Sequence, residues 1–347
     1  MYSFSHGGRF IAQLISFFRF NEEFFSPKSV IDYEGTSIRV HFNGEESHDV
    51  RIELVRNPLV KYNSKLSFIP SERNLVTAIK NIQNSYLSSQ RDMVFNFIFE
   101  WAEFKESFSS TNPLHLAVVT GMDYYFDKTR GELVKLKHPH SGDLAPFSPF
   151  YASSGVQSAL PMEVMVSAIT DSVGSKVKVS QAYLALLGLQ MDQVSVYSAE
   201  EISKKLLTYQ SAHLFVEEPE QNLFPESQMR VIKEFVSSIK KADLKSPDFA
   251  SSLVMTTHSP YILSAINLLM AASEAFEIDA DKTSEIIPKD YILPKGSIAA
   301  YYLTENGFVE NIVDSEVYMV SAIELDGVSQ EVENGISRLT DIILSSN

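Results

Sequence analysis

Glu217 and Glu218 stand side by side at the end of an apolar run, His-Leu-Phe-Val, with Pro219 and a third acid, Glu220, directly after them. Neighbouring carboxylates at the tip of a buried strand repel each other and resist desolvation, so a bound cation is the natural counter-charge. A second apolar run, "SSLVMTTH", ends in His258. A third stretch, "YASSGVQSALP", places Ser153, Ser154 and Gly155 at the start of a helical pattern. Serine is a good helix N-cap. Each stretch also has a plain structural reading: an acidic strand tip, a capped turn, a histidine satisfied within the core.

The elements that must carry these residues are legible as periodicity. "AHLFVEE" and "SSLVMTTHSP" read as buried strands, "PESQMRVIKEFVSSIKKA" and "YILSAINLLMAASEAF" as the helices that follow them. Strand–helix–strand–helix at this spacing predicts parallel βαβ units. Upstream, residues 9–25 have apolar residues at Ile11, Leu14, Ile15 and Phe18, a helical spacing. "SIRVHFNG" and "HDVRIELVRN" predict a hairpin turning near Asn43-Gly44, and "KLSFIPSERN" a short strand that stops at Pro70. Residues 74–108 contain no Pro or Gly and predict continuous helix, with Trp101 in the core. Further hairpins are predicted over 122–137, near Arg130-Gly131, and around Asn306-Gly307.

The 347 residues carry a net charge of −15, which lowers the expectation of a surface that holds nucleic acid by charge alone. Hydrophobic residues at 44% fit a globular chain with a sizeable core. Cysteine is absent, which excludes disulfides and thiolate metal sites. No run reaches the ~18 apolar residues of a membrane span, and the first residues lack the basic start of a secretory signal. These features lead us to expect a cytoplasmic protein with no membrane partner.

Taken in order, "FIPSERN", "YASSGVQSALPM", "VEEPEQNLFP" and "TTHSPYIL" resemble the ABC-type ATPase core of the SMC, RecF and OLD-like group, from about Ile11 to the C-terminus. The resemblance implies an α/β, P-loop NTPase fold with a mixed central sheet, an N-terminal antiparallel β subdomain and a small helical lobe. It divides the chain into 1–73 (N-terminal helix and β subdomain), 74–150 (helical lobe and hairpin) and 151–347 (signature helix, Walker B strand, D-loop, switch histidine and C-terminal hairpin). It implies ATP and Mg²⁺ as cofactors. Glu217 would help hold magnesium through water, Glu218 would orient the attacking water, and His258 would bond the γ-phosphate. Ser153, Ser154, Gly155 and Gln157 would belong to the signature motif that faces the nucleotide of an opposite subunit. Asn222 would lie in the loop that crosses to that subunit, where the group commonly has histidine. A homodimer or a P-loop-bearing partner is therefore implied, and a complex could bring the chain to nucleic acid. Ser71 and Arg73 match a motif of the group whose role the sequence does not give; the simplest structural role for Arg73 is a salt bridge.

One departure is large. The sequence has no G-x-x-x-x-G-K-[ST] phosphate loop. Aligning "IAQLISFF" with the helix that follows that loop puts Gly7, Gly8, Arg9 and Phe10 where Gly, Lys, Ser and Thr belong. "DSVGSKVKVS" has the wrong glycine spacing, and Val follows its Lys176. Either the chain starts downstream of the loop or the loop has decayed, and the expectation is weak ATP binding by the isolated chain. The alternatives are an ATPase that is truncated or degenerate here, and a non-hydrolytic pseudo-ATPase subunit that offers its signature motif to a partner. A third is a metal-dependent nuclease built on Glu217, Glu218 and Glu220.

Overall fold

The structure, a computed structural model, describes residues 14–19, 28–35, 38–45, 50–54, 63–80, 82, 92–137, 144–175, 208–314 and 316–321. The architecture is mixed α/β. Gly7 to Phe10, Lys176, and most of the helix expected over 9–25 lie outside the described residues; within that span, residues 14–18 are helical.

Three strands form the sheet that matters for the candidate site: β4 (Ser64–Ile69), β8 (Ser211–Glu217) and β9 (Ser252–Thr256). Their order is β4-β8-β9 and both pairings are parallel, with Phe68 opposite Phe215 and Phe215 opposite Val254. β4, which the sequence groups with the N-terminal segment, is thus a direct neighbour of the Glu217 strand. The parallel βαβ reading of residues 211–278 agrees with this pairing.

One face of the sheet is packed. Ala212, Leu214 and Val216 point into a core shared with Trp101, Leu160, Met165, Val231 and Phe235. Among the described residues, two of the helices that cover that face matter for the candidate site. The first, Ser154–Ser172, is apolar nearly all round its buried length and runs through the middle of the core. The second, Pro225–Lys245, is amphipathic and buries Val231, Ile232, Phe235, Val236 and Ile239. On the opposite face, alternate residues emerge: Leu66 is 62% exposed, Phe215 38% and Val254 48%.

The helix Pro260–Ile278 follows β9, capped by Ser259, whose hydroxyl accepts the Tyr261 and Ile262 N–H groups. It has 19 residues and a mean hydropathy of 1.3, long and apolar enough to cross a bilayer by those measures. Its Ile262, Ala265, Leu269 and Ala272 pack against Ile232 and Val236, and Leu263 and Met270 against Tyr318 and Val320. About two fifths of its most apolar window, 39%, is buried by the described residues.

The expected continuous helix over 74–108 is not continuous among its described residues. A helical turn, Leu75–Ala78, ends where Ile79 turns extended (φ −121°). The helix Met93–Phe104 begins with Asp92, whose carboxylate accepts the Phe95 N–H. A side-chain N-cap starts a new helix as firmly as proline ends one, and Asp at this site signals the break that composition alone hides. The antiparallel elements follow expectation: β2 (Ile38–Asn43) pairs with β3 (Val50–Leu54), and β6 (Met122–Asp127) with β7 (Gly131–Leu136). β10 (Tyr301–Leu303) pairs with β11 (Val309–Asn311). β1 (Val30–Glu34), which adds a third strand beside β2, has no clear alternation and was not anticipated.

Candidate functional site

Parallel strands deliver their C-terminal ends to one edge of a sheet, and ligands of open α/β sheets gather there. At that edge β8 ends in Glu217, followed by Glu218, and β9 ends in Thr256, followed by Thr257 and His258. The Glu218 N–H, one residue past β8, donates to the carbonyl of Thr256, the last residue of β9, at 3.0 Å. The His258 N–H donates to Glu220 Oε1 at 2.8 Å, so the acidic loop and the histidine loop are tied together. His258 itself is exposed, and Glu217 and Glu218 are half-buried.

The Ser-Gly helix start reaches the same edge. Ser153 is the N-cap residue of Ser154–Ser172, with extended backbone and no side-chain capping bond, so its hydroxyl is not spent on the helix. Ser153 and Ser154 are exposed. Asn222 ties this helix to the acidic loop, its Nδ2 donating to Ser158 Oγ at 2.9 Å. A Cβ on Gly155 would lie 3.0 Å from the Asn222 carbonyl oxygen, so glycine permits the approach. Asn222 has φ 61°, a left-handed conformation that asparagine tolerates well. Gln157 is engaged locally: its amide donates to the Phe150 and Pro149 carbonyls at 3.0 and 3.3 Å and braces the turn before the helix.

Arg73 sits beneath all of this. It is fully buried, and its bonds run to backbone carbonyls: Nε to Ser158 O at 3.1 Å, Nη1 to Glu217 O at 2.8 Å and to Pro70 O at 3.3 Å, and Nη2 to Glu218 O at 2.8 Å. Among the described residues it forms no ion pair, so the salt bridge considered for it is replaced by a carbonyl clamp. Burial lowers its pKa to about 10 while Glu220, Glu218 and Glu217 pull the other way, so it is cationic at neutral pH. Next to it the Ser71 N–H donates to Glu217 Oε2 at 3.2 Å. Glu218 itself has φ 41°, an unusual conformation for a residue that is neither Gly nor Asn.

The structure therefore gathers Glu217, Glu218, His258, Ser153, Ser154, Gly155 and Asn222 at one edge, and turns Gln157 inward to its own helix start. What sequence reasoning missed is the part Arg73 plays. "PSERN" after a strand marks a turn, but nothing local says that its arginine folds inward.

Two buried oxygens at this edge, Glu220 Oε2 and Gln221 Oε1, have no partner among the described residues. Glu217 keeps one oxygen committed to Ser71, and its other oxygen is the ligand it could offer to a magnesium ion or to that ion's water. Magnesium asks for six oxygens and usually takes only one or two carboxylates from the protein. Glu217 fits that share, and the remaining ligands would have to come from phosphate, water and residues elsewhere. No group of three or more His, Asp or Glu among the described residues is arranged to hold a metal ion. No family model and no curated protein matches this chain.

Proposed function

We propose that this chain carries part of an ATP site of the ABC type, in the SMC, RecF and OLD-like group, built on a P-loop NTPase-like core. The observation that carries the reading is convergence. Three stretches separated by scores of residues, each with its own affinity for phosphate or cation, meet at the C-terminal edge of one parallel sheet. In this reading Glu217 shares in holding magnesium, which when bound neutralises phosphate charge. Glu218 orients water, and His258 donates to a phosphate oxygen. The start of the Ser154 helix, with two exposed hydroxyls and free N–H groups, presents a γ-phosphate-binding surface to a nucleotide held by a second copy or by a P-loop-bearing partner. The cytoplasm is the compartment that suits such a site, and contact with nucleic acid would come through a complex.

The sequence supplies no G-x-x-x-x-G-K-[ST] loop, and that specific fact favours a second reading. There the chain is a non-hydrolytic subunit that completes a partner's site. Both readings expect weak nucleotide binding by the chain alone, because the lysine and the amide nest of that loop provide most of the hold on the phosphates.

Titration with magnesium-ATP is therefore expected to give at best millimolar affinity, and a micromolar Kd would overturn the half-site. At saturating nucleotide, amide hydrogen exchange should slow at Ser153–Val156 and Glu217–Gln221; no change there would sink the nucleotide reading itself. Glu218→Gln separates the two alternatives. It should accumulate an ATP-dependent dimer in size-exclusion chromatography if the chain hydrolyses ATP, and leave the elution unchanged if it does not.

A further inference from the structure

We propose that Arg73 is a positioning residue: its guanidinium locks the peptides of Glu217 and Glu218 into the left-handed turn that takes Glu218 out of the sheet's alternation. The inference rests on the nucleotide-site reading only in treating the positioned carboxylates as the working ones.

Along a strand, successive residues point to opposite faces and successive carbonyls to opposite edges. Two adjacent glutamates that simply continued β8 would therefore part company, one on each face of the sheet. The chain breaks that alternation at Glu218, whose φ of 41° is strained for a residue with a Cβ. Something must over-determine that conformation. The Glu218 N–H bond to Thr256 fixes one side of the residue. Arg73 acts on the other, because Nη1 and Nη2 take the Glu217 and Glu218 carbonyls at 2.8 Å each, beside the Gln221 N–H that donates to the Glu218 carbonyl at 3.0 Å. One planar fork can hold two consecutive carbonyls only after the chain has turned between them.

The same guanidinium holds Ser158 O on the Ser-Gly helix and Pro70 O after β4, so one side chain sets the acidic loop, the helix start and the β4 end in a common frame. A lysine offers donors from a single point and cannot reproduce that span.

The test reads the conformation of residue 218 and needs no nucleotide. With Arg73 in place, Glu218→Gly removes the left-handed strain and should raise the urea midpoint. In the Arg73→Lys background the turn is no longer enforced, so the same glycine should give no such increment. Equal increments in both backgrounds would overturn the proposal, because the turn would then be held by something else. If Arg73→Lys alone does not fold, recovery of folding in the Arg73→Lys/Glu218→Gly pair counts against the coupling, because glycine would then relieve a turn held without Arg73, and the exchange series below, with Arg73 intact, decides the matter.

A second measurement leaves Arg73 untouched. Its guanidinium N–H exchange, followed by ¹⁵N NMR, should be as slow in Glu218→Gly and Glu218→Asn as in the wild type. It should be at least tenfold faster in Glu218→Val, whose branched side chain resists a positive φ. Identical exchange across the series would refute the clamp. ATP affinity enters none of these readings, so the nucleotide proposal and the clamp can fail separately.

Discussion

Glu163 is the most unusual single residue outside the candidate site. It lies in the third turn of the Ser154–Ser172 helix, fully buried, and its Oε2 accepts the Ala117 and Val118 N–H groups at 2.6 and 3.1 Å. Its Oε1 is buried without a partner among the described residues. Burial outweighs those two bonds and lifts its pKa to about 8, with the Glu234 carboxylate adding to the rise. The folded state therefore holds a proton that the unfolded state releases above the ordinary glutamate value of 4.5. Stability from this group is complete below that value and is lost as pH rises toward 8. Glu163→Gln should flatten the decline, which urea titrations at pH 5, 6, 7 and 8 would show as a smaller fall in midpoint than the wild type's. Gly155 gives a second prediction at this scale. Alanine in a helix is ordinarily worth about 1 kcal/mol over glycine, but the new Cβ would meet the Asn222 carbonyl at 3.0 Å. We expect Gly155→Ala to show no gain and a net loss of about 1 kcal/mol in chemical denaturation.

Among the elements, the helix Met93–Phe104 shows how a break is made. Its sequence, "MVFNFIFEWAEF", buries Val94, Phe97, Ile98, Trp101 and Phe104 on one side, the spacing of an amphipathic helix. Its start is set by Asp92, which is buried and also accepts from Arg19 Nε at 2.8 Å. Asp92→Ala should cost about 1–2 kcal/mol, a lost cap with a partner left behind. Asp92→Asn should recover the capping part of that loss. Equal losses in the two variants, measured by thermal unfolding, would show that the ion pair and not the cap dominates.

For the whole molecule, the informative contrast is between the two faces of the β4-β8-β9 sheet. Leu214 has no exposure and lies in the main core, whereas Leu66 and Val254 are 62% and 48% exposed on the opposite face. Leu214→Ala should cost roughly 2–5 kcal/mol, and Leu66→Thr and Val254→Thr within about 0.5 kcal/mol of nothing. Comparable losses on both faces would mean that the outer face is covered in solution. Parallel sheets are usually buried on both sides, so this measurement speaks to the assembly as well as to the fold.

What the sequence determined by itself is what local physics records. Alternating and 3.6-residue periods gave the hairpins, β8, β9 and their helices, because burial of one face imposes a repeat on the chain. The acids, the histidine and the Ser-Gly start were legible as residue types at the ends of those elements. Two things were decided only by tertiary structure. β4 joined the Glu217 strand because parallel pairing links residues far apart, such as Leu66 and His213, and no local pattern encodes a partner. Arg73 turned inward because four carbonyls from three separate stretches of chain, Pro70, Ser158 and the Glu217–Glu218 pair, converge where its guanidinium can reach them. A charge is buried only where such partners meet, and where they meet is a property of the folded chain.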